Sequence, residues 1–140
     1  MTDLERAKQL LTENTYTCVL CKGEKMHTST QRGVRPLVEW LESGEIFKGF
    51  SAADRVVGRG AAFLYVLLGV DAVYAHVISH AAMEVLQAQD VLVQYDTAVE
   101  HIINRKGDGI CPFEEAVMNI TAADEAYVAI KQKMQEMGIV

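Results

Sequence analysis

The stretch VDAVYAHVIS, residues 70–79, limits this chain more than any other. It is rich in β-branched and aromatic side chains and almost continuously apolar. A strand of that kind has to be covered on both faces, which puts it inside a sheet flanked by helices. Its surroundings agree. Ser79 is suited to cap a helix over HAAMEVLQAQ (80–89), and VLVQYD (91–96) follows as a second strand. Strands alternating with helices after a hairpin imply a mixed sheet sandwiched between helices.

The rest of the chain fills in the layers. Residues 3–13 place Leu4, Ala7, Leu10 and Leu11 on one helical face, with Asn14 at the C-terminal end. YTCVLCKGEKMHTST reads as two short strands around Gly23-Glu24, a hairpin. GVRPLVEWLESG is a second helix, with Pro36 in its first turn, Leu37, Val38 and Leu41 as its stripe, and Gly44 as its stop. Residues 52–68 read as a third helix closed by Gly69. Ser51 would be its cap, and Asp54 would occupy the capping-box position at the positive end of the helix dipole. VEHIINR fits strand or helix, GDG is a turn, Pro112 opens a short helix, and Thr121 with Asp124 would box the start of a last helix over 122–137. The expectation is one α/β domain over 1–140, a three-layer α/β/α sandwich on a mixed sheet of about five strands.

Composition excludes some functions. With 13 Lys+Arg against 19 Asp+Glu the net charge is −6. Such a surface repels phosphate backbones, so nucleic acid is not an expected partner. The longest apolar run, AAFLYVLLGV, is about half of what crosses a bilayer. The first twenty residues lack the apolar core of a signal peptide. The chain is therefore expected in the cytoplasm, away from membranes, with Cys18, Cys21 and Cys111 as reduced thiols. Cys18 and Cys21 form a CxxC with no second half, so no metal site is expected. On a strand, residues three apart face opposite sides, which makes these two buried structural thiols.

FSAADRVVG, VYAHVIS, INR before a glycine turn and CPFE, together covering about 46–115, carry a resemblance. The chain resembles the cytidine deaminase-like fold and, more closely, a small bacterial family described only as a domain of unknown function. In that fold a hairpin precedes a helix bearing a metal ligand and the catalytic glutamate, and a strand then leads into a second helix bearing two cysteine ligands. The resemblance aligns AADR (52–55) with the first helix and 79–89 with the second. Ala52, Ser79 and Ala82 then stand at the three ligand positions and Asp54 at the glutamate. A zinc deaminase needs a cage of His and Cys to activate its water. The departures therefore imply a scaffold without zinc or other cofactor.

Several residues stand out as candidates. Through the resemblance, Asp54 occupies the place of a proton-transfer carboxylate. Gly58 and Gly60 interrupt a helix at about 1 kcal/mol each relative to alanine, and close packing on the sheet or room for a ligand would compensate. Ser79 and His80 mark a helix N-terminus, where backbone N–H groups can hold an anionic or carbonyl group. Asn104 and Arg105 precede the glycine turn, and an Arg there can hold a carboxylate or phosphate. Cys111, ahead of Pro112, would sit at a helix N-cap where the dipole lowers a thiol pKa, with Glu114 three residues on to cap the helix. Three functions follow. One is a metal-free binding protein for a nucleotide- or nucleoside-like ligand. Another is an enzyme with Cys111 as nucleophile and Asp54 or His80 as proton carrier. The third is a homo-oligomeric interaction module joined through Trp40 or the final helix.

Overall fold

The computed structural model describes residues 1–139. Its first helix, α1 (Asp3–Glu13), starts at a capping box between Thr2 and Glu5 and ends at Asn14, whose Nδ2 donates to the Leu10 carbonyl at 2.8 Å. The hairpin of β1 (Cys18–Lys22) and β2 (Lys25–Ser29) turns on Gly23, which takes φ +58°, a left-handed conformation that glycine adopts without steric cost. Next come α2 (Arg35–Glu42), β3 (Ser51–Val57), α3 (Arg59–Leu68), β4 (Ala72–Ser79), α4 (His80–Ala88) and β5 (Leu92–Val99). The last two elements are α5 (Pro112–Ala116) and α6 (Ala123–Glu136).

The strands form one mixed sheet in the order β2-β1-β3-β4-β5. β1 runs antiparallel to β2 and β3, while β3, β4 and β5 are mutually parallel. As the apolar run demanded, β4 is an interior strand. Val73 and Ala75 join the core on the α3–α4 side, and Ala72 and Tyr74 join the core under α1. Leu4, Ala7 and Leu11 of α1 cover the second of these faces together with Val19, Cys21 and Ala53. Cys18 and Cys21 are both buried, Cys21 under α1 and Cys18 paired with Asp54 across the strands.

Residues 51–57 correct the expectation of a helix from 52. They are β3, and the helix starts only at Arg59. Ser51 and Asp54 imitate a capping box, but Ala52 and Ala53 are small enough to lie flat between two layers, one facing each core. The sheet gains an interior strand paired on both sides, and that outweighs a local helix preference of tenths of a kcal/mol per residue. Gly58 is thus the break between strand and helix. Gly60 is inside α3, and a Cβ there would lie 3.2 Å from the Phe113 carbonyl oxygen. Its compensation is close approach to α5, not to the sheet. At the start of α6 the N-cap is Ala122 without a side-chain bond, so the box expected from Thr121 and Asp124 does not form. The ambiguous VEHIINR leaves β5 at Val99 and continues as an irregular connection with one bridge, Ile103 to Ile110.

Candidate functional site

Parallel strands that each feed a helix deliver the helix N-termini to one edge of the sheet. Val57 pairs with Ile78, so Gly58 and Ser79, the N-caps of α3 and α4, are neighbours at that edge. Ser79 is fully buried, and its Oγ accepts from the Ala82 N–H at 3.1 Å, the N-cap role the sequence suggested. Gly58 offers no side chain. The space beside it is occupied by Glu114 of α5, whose Oε2 would lie 2.9 Å from a Cβ at position 58.

Glu114 is the most unusual group in the molecule. It is 3% exposed, and it does not cap its own helix as expected. Its Oε2 instead accepts from the Ile102 N–H at 3.0 Å, while Oε1 is buried with no hydrogen-bond partner among the described residues. A carboxylate beside the N-terminus of a ten-residue helix is stabilised by the helix dipole. Burying one of its oxygens without a donor still costs on the order of 1–3 kcal/mol. Two ties hold the carboxylate in place. The Cys111 N–H donates to the Ile102 carbonyl at 2.7 Å, so the 102 and 111 backbones are locked together. Arg59 donates from Nε to the Val117 carbonyl at 3.1 Å and from Nη2 to that of Ile120 at 2.6 Å, clamping the end of α5 to the start of α3.

Among the remaining sequence candidates, Cys111 is the N-cap of α5, half-buried against the core. His80 is exposed at the first position of α4. Asn104 closes the 104–109 loop, its Nδ2 donating to Asp108 at 2.9 Å and its Oδ1 accepting from the Asp108 N–H at 3.2 Å, while Arg105 is exposed on that loop. Gly58, Ser79, Glu114 and Cys111 therefore gather at the carboxyl edge of the sheet, and His80, Asn104 and Arg105 lie around its outside.

Asp54 is elsewhere. It precedes Gly58 by four strand residues, roughly 13 Å at strand rise, too far for one small site to use both. The Tyr65 hydroxyl of α3 donates to its Oδ2 at 2.7 Å. Burial raises the Asp54 pKa from 3.8 to about 7, and the Tyr65 hydrogen bond opposes that rise only in part. The expected pairing of Asp54 with a helix N-terminus and with Cys111 is not what the fold provides. The reason is that its residues entered the sheet.

A second polar cluster had no signal in local spacing. Tyr74 and His76 of β4 both bond Asp96 of β5: the Tyr74 hydroxyl donates to Oδ2, and His76 Nδ1 lies 2.9 Å from the same oxygen. Twenty residues separate His76 from Asp96, and only the β4–β5 register joins them. The bonds from Tyr74 and His76 hold the Asp96 carboxyl below its ordinary range. Two grooves are lined by neither Glu114 nor Asp96, although Arg59 reaches the first. One, about 270 Å³, is lined by residues including Arg59, Phe63, Glu84 and Gln89, and the other, about 460 Å³, by residues including Phe47, Leu67 and Asp71. No helix is long and apolar enough to cross a membrane among the described residues.

Comparison with known proteins adds the following. The model of a family described as "TM1506: Domain of unknown function (DUF1893)" matches residues 6–134. The crystal structure of a DUF1893 family protein from Thermotoga maritima superposes with a TM-score of 0.86 at 23% identity, covering 95% of this chain and 91% of that one. At that identity the likeness is one of fold. No curated protein matches.

Proposed function

The chain belongs to the DUF1893 family, and on that premise we propose that it binds a small nucleobase- or nucleoside-like ligand without a metal, at the carboxyl edge of β3 and β4. One observation carries this reading: the buried Glu114 Oε1 that lacks a donor. An orphaned acceptor beside a helix N-terminus is complementary to a group that donates one hydrogen bond and accepts another, as an amide or amidine edge of a nucleobase does. In open α/β sheets, ligands collect outside the carboxyl ends of the strands.

The order of elements supports a deaminase-like scaffold in this proposal. The hairpin follows α1, α2 comes next, and a helix then enters directly after β3 and another after β4. The chemistry of a zinc deaminase does not fit these residues. The two N-termini carry Gly58, Arg59 and Gly60 on one side and Ser79, His80 and Ala82 on the other; His80 is exposed, and among the described residues neither it nor Cys111 joins a group of three ligands, so no step runs through zinc. Cys111 supports the nucleophile reading less well. Its thiol has no basic side chain bonded to it among the described residues, and α5 is only five residues long. The 100–111 connection lies against the carboxylate through the Ile102 N–H, so a ligand reaching Oε1 would have to displace or reorder it.

Thermal-shift and calorimetric titration with nucleobases, nucleosides and nucleoside monophosphates test the proposal. At least one should raise the melting temperature, remain unchanged on recovery, and alter hydrogen exchange over 100–111. Glu114→Gln replaces the free acceptor by a donor of the same shape and should weaken that ligand tenfold or more. No stabilisation by any of the three classes, or equal affinity in Glu114→Gln, overturns it.

A further inference from the structure

We propose that β5 is a self-association edge that pairs antiparallel with the same strand of a second copy of this chain. The sheet has two edges, and they differ. The β2 edge is five residues long, and Lys22 and Lys25 flank its hairpin turn. Lysines at an edge discourage further pairing. The β5 edge is eight residues, about 26 Å at strand rise, and its sequence LVQYDTAV contains no Lys, Arg, Pro or Gly. One side of β5 pairs with β4, and no backbone group bonds the other side among the described residues. The helix α1 packs over β1, β3 and β4, and Leu92 and Tyr95, on opposite faces of β5, are 59% and 47% exposed. Among the described residues no Lys or Pro blunts this edge in the ways that natural sheets use to stay monomeric.

Charge selects the occupant. Asp96 is the only charged residue of β5, and its carboxylate already bonds Tyr74 and His76. A basic partner finds no acidic row here, and an acidic partner finds no basic one. Two copies of a chain with net charge −6 repel over most approaches, and β5 brings only one carboxylate per copy to the contact, already bonded to side chains of β4. The same strand on a second molecule matches it in length and polarity. Antiparallel pairing about a two-fold axis closes after two subunits, whereas β5 on another copy's β2 would continue as a filament. A two-fold through Tyr95 pairs Tyr95 with its own copy and sets Asp96 opposite Gln94.

Light scattering on eluting full-length protein across micromolar concentrations, with hydrogen exchange at both ends of the range, tests this. A dimer is expected, with amides of 92–99 gaining protection as concentration rises. Tyr95→Glu adds one negative charge from each copy beside the axis and should weaken the dimer at least tenfold, while Tyr95→Phe should leave it intact. Leu92→Lys is a second blocking variant at an exposed position, used if Tyr95→Glu loses its circular dichroism spectrum. A monomer at every concentration overturns the proposal. So does a dimer in which 92–99 stays unprotected and the folded charge variant remains dimeric.

Discussion

Replacing Asp54 by Asn should remove a loss of stability that develops between pH 4 and 7. In the unfolded chain this carboxyl titrates near 3.8, and in the fold burial raises it to about 7. Between those values the native state holds a proton that the unfolded state has released, so stability falls as pH rises, by about 1.4 kcal/mol per unit. Over roughly three units the full penalty approaches about 4 kcal/mol. That is a ceiling, because Asp54 keeps part of its surface in water. Below pH 4 the penalty is absent, and above pH 7 it is complete. The asparagine amide keeps an acceptor for the Tyr65 hydroxyl without the ionisation. Urea unfolding of both proteins from pH 4 to 9 should therefore show the Asp54→Asn variant gaining on the parent steadily between 4 and 7 and levelling off above. A stability difference that does not change with pH, or an Asp54 carboxyl found titrating below 5 by NMR, would refute the reasoning.

Three further outcomes follow from the contacts. Arg55 donates to the carbonyls of Tyr16, Leu11 and Asn14 at 2.7, 2.9 and 2.9 Å, tying the end of α1 to β3, so Arg55→Ala should cost about 1.5–3 kcal/mol and speed exchange of α1 amides first. Gly58→Ala places a methyl 2.9 Å from Glu114 Oε2 and 3.2 Å from Ile102 Cγ1, and should destabilise by about 1–3 kcal/mol in denaturant. Among the thiols, half-buried Cys111 should alkylate first in the native state. Cys18 and Cys21, both enclosed, with burial raising their pKa, should react only on unfolding, as peptide mapping after timed labelling will read out.

The sites were less legible in the sequence than the frame around them. Ser79 as a cap and Cys111 before Pro112 could be read because each depends on neighbours within a turn or two. The spacing around Asp54 points to the wrong element. Its capping-box spacing is a local signal, and the partner that matters, Tyr65, comes from the next helix across the core. Glu114 has the spacing to cap α5, yet it bonds the backbone twelve residues back. The Tyr74–Asp96–His76 group left no local trace, since it depends on which residue of β5 lies beside which residue of β4.

By itself the sequence determined the α/β class, the hairpin at Gly23, the interior place of 70–79 and the helices at both ends, because periodicity, capping and turn residues act over a few bonds and write themselves into neighbouring letters. The tertiary structure alone decided that 51–57 is a strand, that Gly58 yields its space to a carboxylate, and that β5 is left with an open side. Those outcomes turn on burial and strand register, which compare whole layers of the molecule. A short segment with an even local balance takes whichever conformation lets the assembled sheet satisfy its backbone.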